Sequence, residues 1–193
     1  MDLELKGKTA IITGGSRGIG KAVGREFGLE GMKVALVARG QEALEECARE
    51  LAEETGGDFI TIVADTGNPE SVQAMVKEAA EKLGRIDILV NCAGIDGGAS
   101  VLEFEGERWT RQSLVNLSGN FFNTKWVGRQ MVEKGIKGSI VCIISTAGWQ
   151  GRANSVGYCS SKGGIIQFVR AAAMDLAPYG IRINSFTPTA TQV

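Results

Sequence analysis

Short apolar runs alternate with longer segments of helical period along the whole chain. Residues 8–13 (KTAIIT), 33–38 (KVALVA), 58–63 (DFITIV), 87–91 (DILVN), 138–145 (GSIVCIIS) and 181–187 (IRINSFT) predict six strands. Between them lie helices. One runs over 18–30 and is closed by Gly31, and another runs over 41–54 with Ala43, Leu44, Cys47, Ala48 and Leu51 on one face. The clearest spans 69–83, where Val72, Met75, Val76, Ala79, Ala80 and Leu83 recur at helical spacing behind Asn68 as N-cap and Pro69 at the first helical position. A long helix is expected from 109 to about 134, weakened near Gly119. A last one is expected over 155–177, stopped by Pro178 and Gly180.

This β-α-β-α order requires a parallel sheet with helices on both faces. The strands are apolar nearly throughout, as strands buried on two sides must be. The implied fold class is α/β, a doubly wound parallel sheet of Rossmann type in the order 3-2-1-4-5-6, as a single domain over residues 1–193. Its ligand crevice is expected where the winding reverses, at the carboxyl ends of strands 1 and 4.

Composition narrows the chemistry. The 193 residues include no histidine, which removes Ser-His-Asp hydrolases, Cys-His proteases and His-ligated metals; no metal site is expected. Acid–base work must fall to Tyr, Lys, Asp, Glu, Cys or a bound cofactor. The 21 basic and 22 acidic residues leave a net charge of −1 with no basic patch, so nucleic acid and membrane surfaces are not expected partners. Cys47, Cys92, Cys142 and Cys159 lie in no metal-like spacing and read as buried free thiols. The N-terminus has no apolar signal-like run, and no stretch is apolar enough to span a membrane. The expected location is the cytoplasm.

The 27 glycines are about twice the ordinary ~7% share, and three of them matter most. Strand 1 runs into Thr13-Gly14-Gly15-Ser16-Arg17-Gly18-Ile19-Gly20. Gly14 permits the tight turn, Gly18 lets backbone approach a phosphate, and Gly20 lets the helix close on the strand. With Ser16, Arg17 and Ile19 they form the expected pyrophosphate cradle at a helix N-terminus. Strand 2 ends at Ala38-Arg39, with no acid to hold a ribose 2′-hydroxyl. Arg39 and Arg17 instead suit a 2′-phosphate, so NADP(H) is favoured over NAD(H).

Strand 5 ends at Ser145, and Tyr158 and Lys162 come after it at a spacing that stacks both on one helical face. A lysine cation beside a phenol stabilises the phenolate. Such a tyrosine can protonate a carbonyl oxygen as hydride reaches carbon, or act in reverse, while Ser145 holds the same oxygen.

TGGSRGIG at 13–20, NCAG at 91–94, Asn116, Ser145 and YCSSK at 158–162 together resemble the short-chain dehydrogenase/reductase family over essentially the whole chain. The resemblance is to the branch that reduces ketones, 3-oxoacyl thioesters among them, or oxidises secondary alcohols. It implies that Tyr158 is the general acid/base and that Lys162 binds the nicotinamide ribose. It implies that Ser145 orients substrate and that Asn116 supports a proton relay from a distorted helical turn. It further assigns Asp65 to the adenine, Asn91, Ala93 and Gly94 to a turn that braces the sheet and passes the adenine-ribose side, and Pro188 to the nicotinamide end. Homodimers or homotetramers built on the two long helices are expected, with Trp109, Phe121, Phe122 and Trp126 in core or interface. Asp96, Trp149, Gln150 and Asn154 are candidates for a small carbonyl or alcohol substrate. Cys92 departs from the family's NNAG. Pro188 is succeeded by Thr189-Ala190-Thr191 rather than glycine, and either threonine could serve the carboxamide. Relative to the family, a seventh strand and substrate lid have no counterpart in the sequence. The other function considered is a nucleotide-binding or scaffold protein that keeps the fold without catalysis.

Overall fold

The computed structural model describes residues 3–189; Met1, Asp2 and the stretch 190–193, with Thr191, lie outside it. The strands are β1 (Thr9–Thr13), β2 (Lys33–Ala38), β3 (Asp58–Val63), β4 (Ile88–Asn91), β5 (Ser139–Ile143) and β6 (Arg182–Phe186). They form one parallel sheet in the order β3-β2-β1-β4-β5-β6, as the pattern predicts.

Alternate residues of the central strands feed two cores. Ile11, Ala35 and Val37 face helices α3 (Pro69–Leu83), α5 (Gly119–Glu133) and α6 (Val156–Leu176), where Met75, Met131 and Ile165 are fully packed. Ala10, Ile12, Val34 and Leu36 face α1 (Gly18–Leu29) and α2 (Gln41–Thr55), against Leu44, Cys47 and Leu51. Each buried Val, Leu, Ile or Met among them contributes roughly 1.5–3 kcal/mol by leaving water. The Asn68 side chain accepts from the Ser71 N–H at 2.8 Å and Pro69 stands at the first turn of α3, as expected.

The fourth helical segment departs from the sequence expectation. It begins earlier, as α4 (Gly106–Ser113), and is not continuous with α5. A π-helical turn, Leu114–Ser118, separates them. Two contacts support it. The Asn120 side chain donates to the Asn116 carbonyl at 2.7 Å. Gly119 is pressed so closely on the loop after β3 that a Cβ there would lie 2.9 Å from the Thr66 carbonyl oxygen. The first is local to the helix; the second is tertiary and invisible to helical periodicity.

Candidate active site

The loop after β1 is shaped by its glycines. Gly14 and Gly18 hold φ of 67° and 55°, a region L side chains rarely adopt. A Cβ on Gly14 would also meet the Ala93 backbone at 2.9 Å, and one on Gly20 would strike the Gly14 carbonyl at 2.2 Å. The loop is thus folded against the turn after β4. Thr13 braces that junction, its hydroxyl accepting from the Ala93 N–H at 3.3 Å. The first turn of α1 carries no acidic residue and no side-chain cap, so its N–H groups and positive dipole end face the space beyond.

That space is a cleft of about 710 Å³. Gly14, Ser16, Arg17, Gly18, Ile19, Gly20, Arg39, Asp65, Ala93 and Gly94, all expected at the cofactor, line it. Asn91 sits behind the cleft: its side chain is buried, accepting from Asn123 at 2.9 Å and donating to the Cys142 sulfur at 3.6 Å. It braces the sheet. Pro188 is half-buried just past β6.

Arg111 also lines the cleft, a residue that no motif of the sequence marks. Its guanidinium meets Asp65 at 2.8 Å, and the Gly67 N–H donates to the same carboxylate at 2.9 Å. Burial pushes the Asp65 carboxyl up, but the Arg111 and Gly67 hydrogen bonds, with the Arg111 and Arg39 charges, outweigh it and hold the group below its usual range. A polyanion fits this wall: three arginines, a bare helix N-terminus and glycines whose Cβ would fill the cradle. A dinucleotide would be held by these residues.

The second cluster lies beside Gly94. The Lys162 side chain, 5% exposed, donates to the Ile143 carbonyl at 2.8 Å and lies 5.7 Å from the centre of the Tyr158 ring. Burial lowers its pKa to about 8, against the opposing pull of Cys92, Cys142 and Asp96. Arg152 stacks on the same ring at 5.5 Å and pairs with Asp96 at 3.1 Å. Ser145 leads into a short 3-10 turn, Thr146–Gly148, its hydroxyl accepting from the Ala147 N–H at 3.2 Å. A Cβ on Gly148 would touch the Lys162 backbone at 2.9 Å, so the Ser145 turn rests directly on α6.

Asn116 is wholly buried in the π turn. Its amide exchanges hydrogen bonds with Ile95, at 2.8 and 2.9 Å, and donates to Ser161 at 3.1 Å; Ser161 in turn donates to the Tyr158 carbonyl at 2.8 Å. Burial pushes the Cys92 thiol up to about 12 and the Cys142 thiol up to about 11, so neither serves as a thiolate near neutral pH. Among the described residues no group of acidic or cysteine side chains could hold a metal.

The profile of the family described as "short chain dehydrogenase" matches residues 8–193. The chain belongs to that family. This short-chain dehydrogenase is 36% identical over 186 residues to "Glucose 1-dehydrogenase 2" of Bacillus subtilis, covering 96% of this chain and 72% of the relative. It superimposes on NAD+-bound xylitol dehydrogenase with a TM-score of 0.92 at 35% identity, covering 96% of this chain and 71% of that one. An actinorhodin polyketide ketoreductase variant with NADPH gives 0.88 at 36% identity, with 93% and 69% covered. The chain is therefore an NAD(P)-dependent oxidoreductase acting between carbonyl and alcohol groups, with the α/β fold expected of it. Among the described residues no helix is long and apolar enough to cross a membrane.

Proposed function

We propose that this chain interconverts a ketone and a secondary alcohol with NADP(H), using Tyr158 as the acid/base. The observation that carries the reading is Lys162, a buried cation held by the Ile143 carbonyl beside the Tyr158 ring. A bound nicotinamide supplies or accepts the hydride. The Tyr158 hydroxyl gives its proton to the substrate oxygen in reduction and takes it back in oxidation. Lys162 favours the phenolate by charge. Ser145, anchored through the Ala147 N–H, offers its hydroxyl to the same oxygen. Asn116 holds the loop at Ile95 and the Tyr158 turn together, and its place in the π turn suits a relay of protons toward solvent.

NADP(H) is favoured by Arg17 and Arg39 on the cleft wall and by Ala38 where an acid would select NAD(H). The outer faces of α5 and α6 support self-association. They enclose an apolar hollow of about 520 Å³ around Phe121, Phe168 and Leu176, with Lys125 and Arg129 set against Glu133 and Asp175. Mixed charge around an apolar centre suits a two-fold copy of the same face. Phe121→Asp is expected to lower the mass seen by light scattering; an unchanged mass would remove this face from the assembly. The free cysteines accord with a cytoplasmic setting.

The test is NADPH oxidation over a panel of ketones, aldoses and 3-oxoacyl thioesters. Tyr158→Phe is expected to abolish turnover and leave NADPH affinity nearly unchanged. Tight NADPH binding without turnover of any member would favour a nucleotide-binding module, and an active Phe variant would remove Tyr158 from the chemistry.

A further inference from the structure

We propose that Gln112 is a positioning residue for Tyr158, its buried amide tying the loop after β4 to the first turn of α6. The inference rests on the reading of Tyr158 as acid/base. Gln112 is a polar side chain only 3% exposed. Its Nε2 donates to two carbonyls of the loop, Ile95 at 3.3 Å and Gly97 at 3.2 Å. Those two acceptors fix the orientation of the amide, since the flipped form would set oxygen against oxygen.

The Oε1 atom then points the other way, and it is buried without a partner. It lies against Gly157, where a Cβ would come within 2.3 Å of it. Gly157 is the residue before Tyr158, in the first turn of α6, where backbone N–H groups have no intrahelical acceptor. The flanking Ser155 supplies no side-chain cap. An unpartnered amide oxygen is thus packed against the first turn of the helix that carries Tyr158 and Lys162.

Asn116, four residues on, takes the same Ile95 carbonyl at 2.9 Å and reaches the Tyr158 carbonyl through Ser161. Asn116 therefore hydrogen-bonds both the loop and the Tyr158 turn, while Gln112 hydrogen-bonds the loop and packs its oxygen against Gly157. The loop also bears directly on the segment before α6: a Cβ on Gly98 would lie 1.8 Å from the Asn154 carbonyl, and Asp96 pairs with Arg152. Movement of residues 95–98 is transmitted to Tyr158, and Gln112 fixes that distance.

The chain holds two tyrosines, so Tyr179→Phe leaves Tyr158 as the single site for 3-fluorotyrosine. In that background the fluorine resonance is recorded for the parent, Gln112→Leu and Gln112→Met. The methionine variant keeps length and volume but removes both polar groups. The expected result is a Tyr158 resonance displaced or split in both variants, with NADPH affinity retained within about twofold. A resonance unmoved in the methionine variant overturns the proposal, leaving only packing. Displacement accompanied by loss of NADPH binding also overturns it, since the role would then be general structure. Tyr158→Phe in the turnover assay tests the acid/base reading separately; activity there would retire that reading and leave the tie to be judged on the resonance.

Discussion

Arg111 and Asp65 form an ion pair at 2.8 Å on the wall of the cleft lined by the glycine loop, although they come from α4 and from the loop after β3. The pair is about one-third exposed on each side, so it contributes little to stability, within the ~0.2–1 kcal/mol range of such pairs. Its weight falls on the ligand. With Arg111 present, the carboxylate is neutralised beside the site for a polyanion. Arg111→Met removes a cation and bares that charge, and NADPH Kd is expected to rise about tenfold, or ~1.4 kcal/mol. Adding Asp65→Asn should recover part of the loss. Titration calorimetry on the two single variants and the double variant measures the coupling; strictly additive losses would show that the pair acts as two independent contacts.

Arg39 offers a sharper test of cofactor choice. It stands exposed at the end of β2, on the cleft wall. Arg39→Asp is expected to weaken NADPH by at least about tenfold and to strengthen NADH, because an acid there repels a phosphate and accepts from a ribose hydroxyl. Equal affinities of the parent protein for the two cofactors would make Arg39 an idle surface charge.

Lys162 ties activity to stability. Its folded pKa, about 8, lies below the ordinary 10.5 because burial disfavours the cation. Between those values the unfolded chain binds more protons than the folded one, so the group's contribution to stability rises with pH across that window. Below pH 8 the full cost of the buried cation is present. Lys162→Met is therefore expected to stabilise the protein at pH 7 by about 1–2 kcal/mol, with the gain fading from pH 8 to 10.5. Urea unfolding at several pH values checks it. Turnover by the parent should fall as pH rises through about 8 in any step that needs the cation.

The glycine loop makes a steric prediction with an internal control. In most helices glycine to alanine is worth about 1 kcal/mol in favour of alanine. At Gly20 the new methyl would lie 2.2 Å from the Gly14 carbonyl oxygen. Gly20→Ala is expected to destabilise by at least about 2 kcal/mol and to weaken dinucleotide binding. Gly106, in the first turn of α4, has open space around it, and Gly106→Ala should be neutral or slightly stabilising. Thermal unfolding of the two variants separates lost space from lost flexibility.

Much of this was legible in the chain. Apolar runs of strand length marked all six strands, and the loop at 14–20 located the cleft, because glycine is required there by backbone angles and close approach rather than by any side chain. The spacing of Tyr158 and Lys162 was readable because a helix fixes which residues share a face. The features that escaped lay in contacts between distant segments. Arg111 is one charge among several on an exposed amphipathic helix until β3 brings Asp65 beside it. Gln112 sits in the polar run RWTRQS, where no periodicity marks it as buried.

The widened turn at Leu114–Ser118 gives α4 and α5 different phases. Each inserted residue rotates the downstream helix by about 100° relative to an unbroken one. Above the step, Gln112 looks toward the loop at 95–97; below it, Asn120 and Asn123 look inward while Phe121 and Lys125 look outward. Excising a single residue within the turn would thus do more than shorten the protein: it would swing the whole of α5 on its axis, and the buried asparagines and the outer apolar face would be misdirected in one stroke.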